Sequence, residues 1–191
     1  MTRFARIAGL LVFAAIALGA VGAAVWLAPV PAGPTTLRAT VDDVAQRWPR
    51  IDHAPPGEIA PHLADGNAIV FDVRTPAEYD VSHLPGAIHV DPATTEADFL
   101  ARYGDAVHGK TAVFYCSVGV RSSRLATRVA SGLKARGAAS VVGMAGGIFG
   151  WHAEARPLVD AQGPTDFVHP YDATWGRLLA RPELARQSPR G

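Results

Sequence analysis

"FYCSVGVRSSR", residues 114–124, carries an apolar stretch into the chain's single cysteine, then through a loop with one glycine to an arginine and two serines. The run that leads into it, "TAVFYC" (111–116), and an earlier one, "AIVFDV" (68–73), are short, nearly continuous and rich in β-branched and aromatic residues. That is the pattern of strands buried on both faces of a sheet. "AIHV" (87–90) and "SVVGM" (140–144) are weaker runs of the same kind. Between these runs, 96–103 and 122–136 read as helices. In the second, Leu125, Val129 and Leu133 recur every fourth residue on one face, and Gly137 follows Lys134 and Arg136 as a stop. Strands alternating with helices predict an α/β fold built on a parallel sheet. Ligands of such sheets gather at the carboxyl ends of the strands, where Asp72 with Arg74 closes one run and Cys116 closes another.

A lone cysteine is ordinarily a small buried hydrophobe. The order strand, cysteine, glycine, arginine, serine, helix points instead to chemistry. With a strand ending near Cys116 and a helix starting near Ser122, the residues Ser117, Val118, Gly119, Val120 and Arg121 form a tight loop at a helix N-terminus. Inward N–H groups and the helix dipole make such a loop an anion site. Cysteine reacts as the thiolate, and helix N-termini and neighbouring arginines favour that form. Gly119 allows a positive φ or a close approach to a ligand. The sulfur is expected to be partly exposed.

"DVRTPAEYDVSHLPGAIHV" (72–90), "CSVGVRSS" (116–123) and "GGIFGW" (146–151) together resemble the rhodanese domain family, in which D-x-R, E-[YF] and GH-[IL]-PGA-I elements precede a C-x-x-G-x-R-S loop and a GG-I-x-x-W segment. The resemblance extends over about residues 51–160, and "VHPYDATWGRLL" (168–179) is similar to a subgroup of single-domain members. Three features depart from the family pattern. Ser82 stands where glycine usually precedes the histidine, the helix after the loop is about a turn longer, and Ala138 replaces a common aromatic.

The resemblance implies a rhodanese-like parallel sheet flanked by helices, and sulfur transfer as the activity. Cys116 would take a sulfane sulfur from thiosulfate or a persulfide donor, hold it as a persulfide, and pass it to a thiol or cyanide. Inward amides of residues 117–121 suit both anions, with Ser122 completing the loop. Arg121 either attracts an anionic donor or braces the loop against a carboxylate. Asp72, Arg74 and Glu78 read as a structural network under the loop, with Arg74 paired to Glu78 and Asp72 near the strand end. His83, in the "H-x-PGA" turn, is expected to fix that turn by a hydrogen bond. No cofactor is implied. Two alternatives stay open: a non-catalytic binding module on the same fold, and a rhodanese-related phosphatase or arsenate reductase. The related phosphatases hold five residues between cysteine and arginine, whereas only Ser117, Val118, Gly119 and Val120 intervene here. A Cys/His protease would need one of seven scattered histidines beside Cys116, and no spacing selects one.

The rest of the 191 residues narrows the setting. A net charge of +1 gives nucleic-acid binding no electrostatic support. One cysteine closes no intramolecular disulfide, and no Cys/His grouping has metal-ligand spacing. Arg3 and Arg6 precede a stretch, 7–27, that is uncharged and long enough to span a bilayer as a helix. The flanking arginines orient such a helix with its N-terminus in the cytoplasm, making residues 1–30 an inner-membrane anchor with a periplasmic domain. The competing reading is a cleaved signal peptide, with Gly22, Ala23 and Ala24 near the cleavage region and a secreted or periplasmic product.

Residues 31–50 read as a proline-rich linker and a short helix capped by Thr40, with Asp42 and Asp43 at its positive end. "PPGEIAPHLADGN" predicts a second short helix between turns, and "GGIFGWHAEARPL" a last helix with Trp151 on the core. Within the extension 161–191, residues 164–175 read as a chain wrapping over the domain, and the arginine-bearing end as frayed. The protein is expected in the membrane fraction with its domain open to protease from the periplasmic side; a soluble form starting near residue 25 would reject the anchor.

Overall fold

The computed structural model describes residues 36–191. The apolar run at 7–27, and the anchor or signal expected from it, lies outside the described residues. Among the described residues no helix is long and apolar enough to cross a membrane.

The strands are β1 (Asp52–Ala54), β2 (Ala68–Asp72), β3 (Ile88–His89), β4 (Thr111–Tyr115), β5 (Ser140–Met144), β6 (Leu158–Asp160) and β7 (Gly163–Thr165). The α-helices are α1 (Leu37–Arg47), α2 (Pro56–Ala64), α3 (Pro76–Val81), α4 (Glu96–Tyr103), α5 (Val120–Ala135) and α6 (Gly147–Ala153). Five strands form one parallel sheet in the order β1-β5-β4-β2-β3, and β6 and β7 form a separate antiparallel pair. The two strongest apolar runs of the sequence lie side by side in the middle, with Val70 opposite Val113 and Asp72 opposite Tyr115. Side chains alternate across a strand, so a continuous apolar run serves two layers at once. Ala112 and Phe114 enter one core with Leu125, Val129 and Leu133 of α5, while Val113 and Tyr115 enter the other with Ile148 and Trp151 of α6. Trp151 also donates its indole N–H to the Pro157 carbonyl, 2.9 Å away.

Several boundaries differ from the sequence reading. Thr36, not Thr40, caps α1, accepting the Ala39 N–H at 3.1 Å. Thr40 is buried inside the helix and donates its hydroxyl to the Thr36 carbonyl. Asp42 and Asp43 consequently sit in mid-helix, where Asp43 pairs with Arg47 one turn on. Helix α5 begins at Val120, ahead of the expected Ser122, because Gly119 at φ +110° turns the chain directly into it. Strand β1 and the β6–β7 pair had no apolar run to announce them.

The C-terminal end is held rather than frayed. Arg190 reaches back to Asp160 with two hydrogen bonds of 2.6 and 2.7 Å, and Arg181 donates to the His152 carbonyl. Short 3-10 turns at Trp175–Leu178 and Pro182–Leu184 lie between these contacts.

The largest aromatic cluster fixes α4 against the sheet. Phe71 stacks on Phe114 at 5.1 Å and meets the edge of Phe99 at 5.0 Å, and all three are fully buried. Phe71→Ala is expected to cost about 3–5 kcal/mol, measured as a lowered urea midpoint with an unchanged slope.

Candidate active site

The loop between β4 and α5 stands at the carboxyl end of the central strand, as the sequence order requires. Cys116 is its first residue, and the Gly119 N–H donates to its sulfur at 3.2 Å. Ser122 closes the loop from inside the first turn of α5 by donating its hydroxyl to the Gly119 carbonyl at 3.0 Å. The sixteen-residue α5 thus starts with its dipole aimed at the cysteine loop. Cys116 is only 1% exposed, so the expectation of a partly open sulfur is corrected. It sits instead in the wall of a cavity of about 110 Å³ that Ser117, Val118, Val120 and Arg121 also line.

A second loop supports the first from behind. The N–H groups of Ile148 and Phe149 donate to the carbonyls of Cys116 and Ser117 at 2.9 and 3.1 Å. Gly147, at φ +54°, makes this approach possible. A Cβ there would overlap the Cys116 carbonyl oxygen and come within 2.8 Å of the Ser117 backbone. The glycine pair quoted from 146–151 is therefore part of the cysteine loop's support.

The charged residues pair differently from the sequence reading. Arg74, expected to pair with Glu78, is bound to Asp72 through its Nε and a terminal nitrogen, the shortest contact being 2.6 Å. The physical reason is local: Arg74 precedes Thr75, the N-cap of α3, so it lies outside the helix whose spacing would have brought it to Glu78. Asp72 also accepts the Tyr115 hydroxyl at 2.6 Å, and that same hydroxyl accepts the Leu84 N–H. Asp72, Arg74 and Tyr115 are fully buried. Burial works against the Arg74 charge, but Asp72 outweighs it and holds the guanidinium protonated, while burial and then the Asp72 charge push the Tyr115 phenol up.

Glu78 pairs with Arg121. Its two oxygens accept the two terminal guanidinium nitrogens at 2.7 and 2.6 Å, and Oε1 also accepts the Ser117 hydroxyl at 2.8 Å. Oε2 accepts the Thr75 N–H and hydroxyl, completing the capping box of α3. Burial raises the Glu78 carboxyl, but the hydrogen bonds and charge of Arg121 prevail and bring it from 4.5 down to about 2. Burial likewise opposes the Arg121 charge, and Glu78 and Cys116 overcome it and raise that group. Arg121 is thus the loop's brace. His83 makes contacts of the expected kind: its Nδ1 lies 3.1 Å from the Tyr79 carbonyl, its ring stacks on Tyr79, and its backbone exchanges two hydrogen bonds with Val159.

Two cavity residues were not among the candidates. Tyr171 and Trp175 come from the extension and form the side of the cavity facing the loop. Tyr171 lies over the Arg121 guanidinium at 4.9 Å. The aromatic residues within "VHPYDATWGRLL" were the available signal, but no local pattern tells a wrapping chain from a cavity wall.

Two outcomes follow from this geometry. Gly147→Ala should distort the cysteine loop and lower stability by about 2 kcal/mol or more, through the clash and the positive φ together, read as a fall in melting temperature. Glu78 has a depressed folded pKa, so its contribution is complete above the unfolded value near 4.5 and is lost as pH falls toward 2. At 1.36 kcal/mol per pH unit, that contribution is on the order of 3 kcal/mol. Glu78→Gln should remove this part of the acid dependence. At pH 7 it should cost about 2–4 kcal/mol, less than a fully buried pair because the Arg121 side chain keeps 23% exposure. Urea titrations of both proteins between pH 2 and pH 7 read both effects.

A family profile described as rhodanese-like domain matches residues 55–154. Among curated proteins, the chain is 33% identical over 85 residues to a tRNA uridine(34) hydroxylase of Oceanobacillus iheyensis, covering 44% of this chain and 26% of that one. It is 32% identical over 104 residues to the probable adenylyltransferase/sulfurtransferase MoeZ of Mycobacterium tuberculosis, covering 53% and 25%. The chain thus spans about a quarter of the length of these relatives. Among solved structures, it is similar to a thiosulfate sulfurtransferase from Pseudomonas aeruginosa, at 18% identity and a TM-score of 0.49, over 68% of this chain and 24% of that one. With the profile extending over more than half of its residues, the chain belongs to the rhodanese-like domain family.

Proposed function

We propose that the protein is a sulfurtransferase that carries a sulfane sulfur as a persulfide on Cys116. The observation that carries this reading is the sulfur itself: it stands in the wall of a small cavity, with the Gly119 N–H on it at 3.2 Å and the N-terminus of α5 directed toward it. A cysteine serving only as core packing would need neither. In the first half-reaction the Cys116 thiolate attacks the outer sulfur of a donor such as thiosulfate. The donor's S–S bond breaks, and sulfite leaves with the bonding electrons. In the second, a thiol or cyanide attacks the terminal persulfide sulfur and the Cys116 thiolate departs. The attacking thiolate and the persulfide are both anions, and the loop offers each the same amide and helix terminus.

The family membership supports this chemistry, and so does the loop's construction. Four residues separate Cys116 from Arg121, whose guanidinium is already engaged by Glu78 and Ser117. A phosphoryl group would need those nitrogens free. In the setting suggested by Arg3, Arg6 and the run at 7–27, the reaction takes place on the exported side of the inner membrane.

Incubation with excess sulfane donor should add about 32 Da, one sulfur atom, to Cys116 by mass spectrometry. Cyanide should then release thiocyanate and restore the original mass. Cys116→Ser should do neither, while losing only about 1 kcal/mol of stability, because a serine hydroxyl can accept the same Gly119 N–H. Transfer persisting in that variant, or hydrolysis of aryl phosphates by the unmodified protein faster than sulfur transfer, would overturn the reading.

A further inference from the structure

The C-terminal extension gives the cavity an aromatic side, and among the described residues its one lining cation is paired. Among the described residues, Arg121 is the only charged side chain lining it. Its charge is matched by the Glu78 carboxylate, which takes one N–H from each terminal nitrogen, and Ser117 takes the second N–H of Nη2. Tyr171 covers it at 4.9 Å, which adds a cation–π contact and occupies a surface from which an anion would approach. The apolar part of the lining is Val118, Val120 and the Tyr171 and Trp175 rings.

These rings are placed deliberately by their own segment. Tyr171 adopts φ +67°, a conformation that a bulky residue holds only when its surroundings impose it. Its N–H donates to Nδ1 of His169, which is buried. Burial lowers the His169 pKa, consistent with a neutral ring whose Nδ1 accepts. Asp172 then accepts the N–H groups of Thr174 and Trp175 at 2.7 and 2.8 Å, turning the chain so that Trp175 reaches the cavity. Tyr171 is 45% exposed, the one large apolar side chain so exposed among the described residues, and thus forms the cavity's rim.

A charge count shows what such a site would accept. With Arg121 neutralised by Glu78, a Cys116 thiolate leaves the site with one net negative charge. A thiosulfate dianion would enter against that charge with no free cation to receive its sulfonate. A donor with an apolar substituent would bring less charge and bury its substituent against the two rings. We propose that residues 168–179 are a specificity element, with Tyr171 and Trp175 directing the site toward sulfane donors that carry an apolar substituent and at most one negative charge. Organic persulfides and organic thiosulfonates share this chemistry. With a persulfide RSSH, the Cys116 thiolate bonds to the outer sulfur, the RS–SH bond breaks, and RS leaves with the electron pair and takes up the proton released by the new persulfide. With a thiosulfonate the leaving group is the sulfinate. The proposal rests on the sulfurtransferase reading and narrows its donor.

The test measures kcat/KM for thiocyanate formation, at saturating cyanide, with three donors: thiosulfate, methanethiosulfonate and benzenethiosulfonate. The second differs from the first chiefly in charge, and the third adds a ring. Benzenethiosulfonate should exceed thiosulfate by about tenfold or more, with methanethiosulfonate between them. Tyr171→Ala and Trp175→Ala should each lower the benzene-to-methane ratio by about fivefold, and Tyr171→Phe should keep it. This ratio does not depend on how much of a variant is folded. A persulfide arm, using benzyl persulfide against cysteine persulfide, should show the same preference and the same loss in both alanine variants. Thiosulfate as the best donor, or ratios unchanged in both alanine variants, overturns the specificity element while leaving the transferase standing. No transfer from any donor, with no sulfur gained on Cys116, overturns the transferase and this proposal with it.

Discussion

The carboxylate of Glu78 is the interaction on which the site is built. It accepts five hydrogen bonds, from the Thr75 N–H and hydroxyl, the Ser117 hydroxyl and the two terminal nitrogens of Arg121. A buried carboxylate without partners would cost far more than folding yields, so these groups are required to meet. Their meeting joins two parts of the chain that the sheet alone leaves independent: the first turn of α3, after β2, and the cysteine loop, after β4. The same oxygens that cap a helix also hold the arginine at the end of the loop, so the loop's width is set by a helix cap. Neutralising Arg121 is a consequence of this construction.

Two further supports place the loop in depth. Asp72, Arg74 and Tyr115 tie the ends of β2 and β4 to the turn at Ser82 and Leu84, with Arg74 donating to the Ser82 carbonyl at 2.6 Å. Gly147 lets the backbone after β5 meet the carbonyls of Cys116 and Ser117. The Cys116 sulfur then has an amide beside it and no backbone freedom of its own. Such fixed dipoles are worth more than solvent dipoles because they need not reorganise as charge moves.

The central strands could be read from the sequence because each carries residues for two core layers, and only a strand covered on both faces tolerates a run such as "AIVFDV". The cysteine loop was legible because its cysteine, glycine, arginine and serine fall within consecutive residues. Pairings were harder. Arg74 and Glu78 are four apart, a spacing that pairs side chains only when both lie in one helix, and the cap at Thr75 excludes Arg74. Arg121 reaches Glu78 across 43 positions of chain, a distance no local pattern encodes. Strand β1 is three residues long and only partly buried, so it lacked the apolar signature. The attachment of the tail through Arg190 and Asp160 was hidden for the same reason as Arg121 and Glu78: neither residue's neighbours mention the other.

The extension shows how one fold sets its chemistry from outside its own sheet. The rhodanese-like profile ends at residue 154, yet the aromatic side of the cavity comes from residues beyond it. That arrangement separates two tasks. The sheet, α3 and α5 fix the sulfur, its amide and the paired arginine. The rings of Tyr171 and Trp175 form one side of the cavity, with Tyr171 at its rim. These rings are held by their own turn, through His169 and Asp172, and Tyr171 meets the cysteine loop at Arg121. Under the proposal, donor selectivity rests on this segment and the carrier sulfur on the loop between β4 and α5.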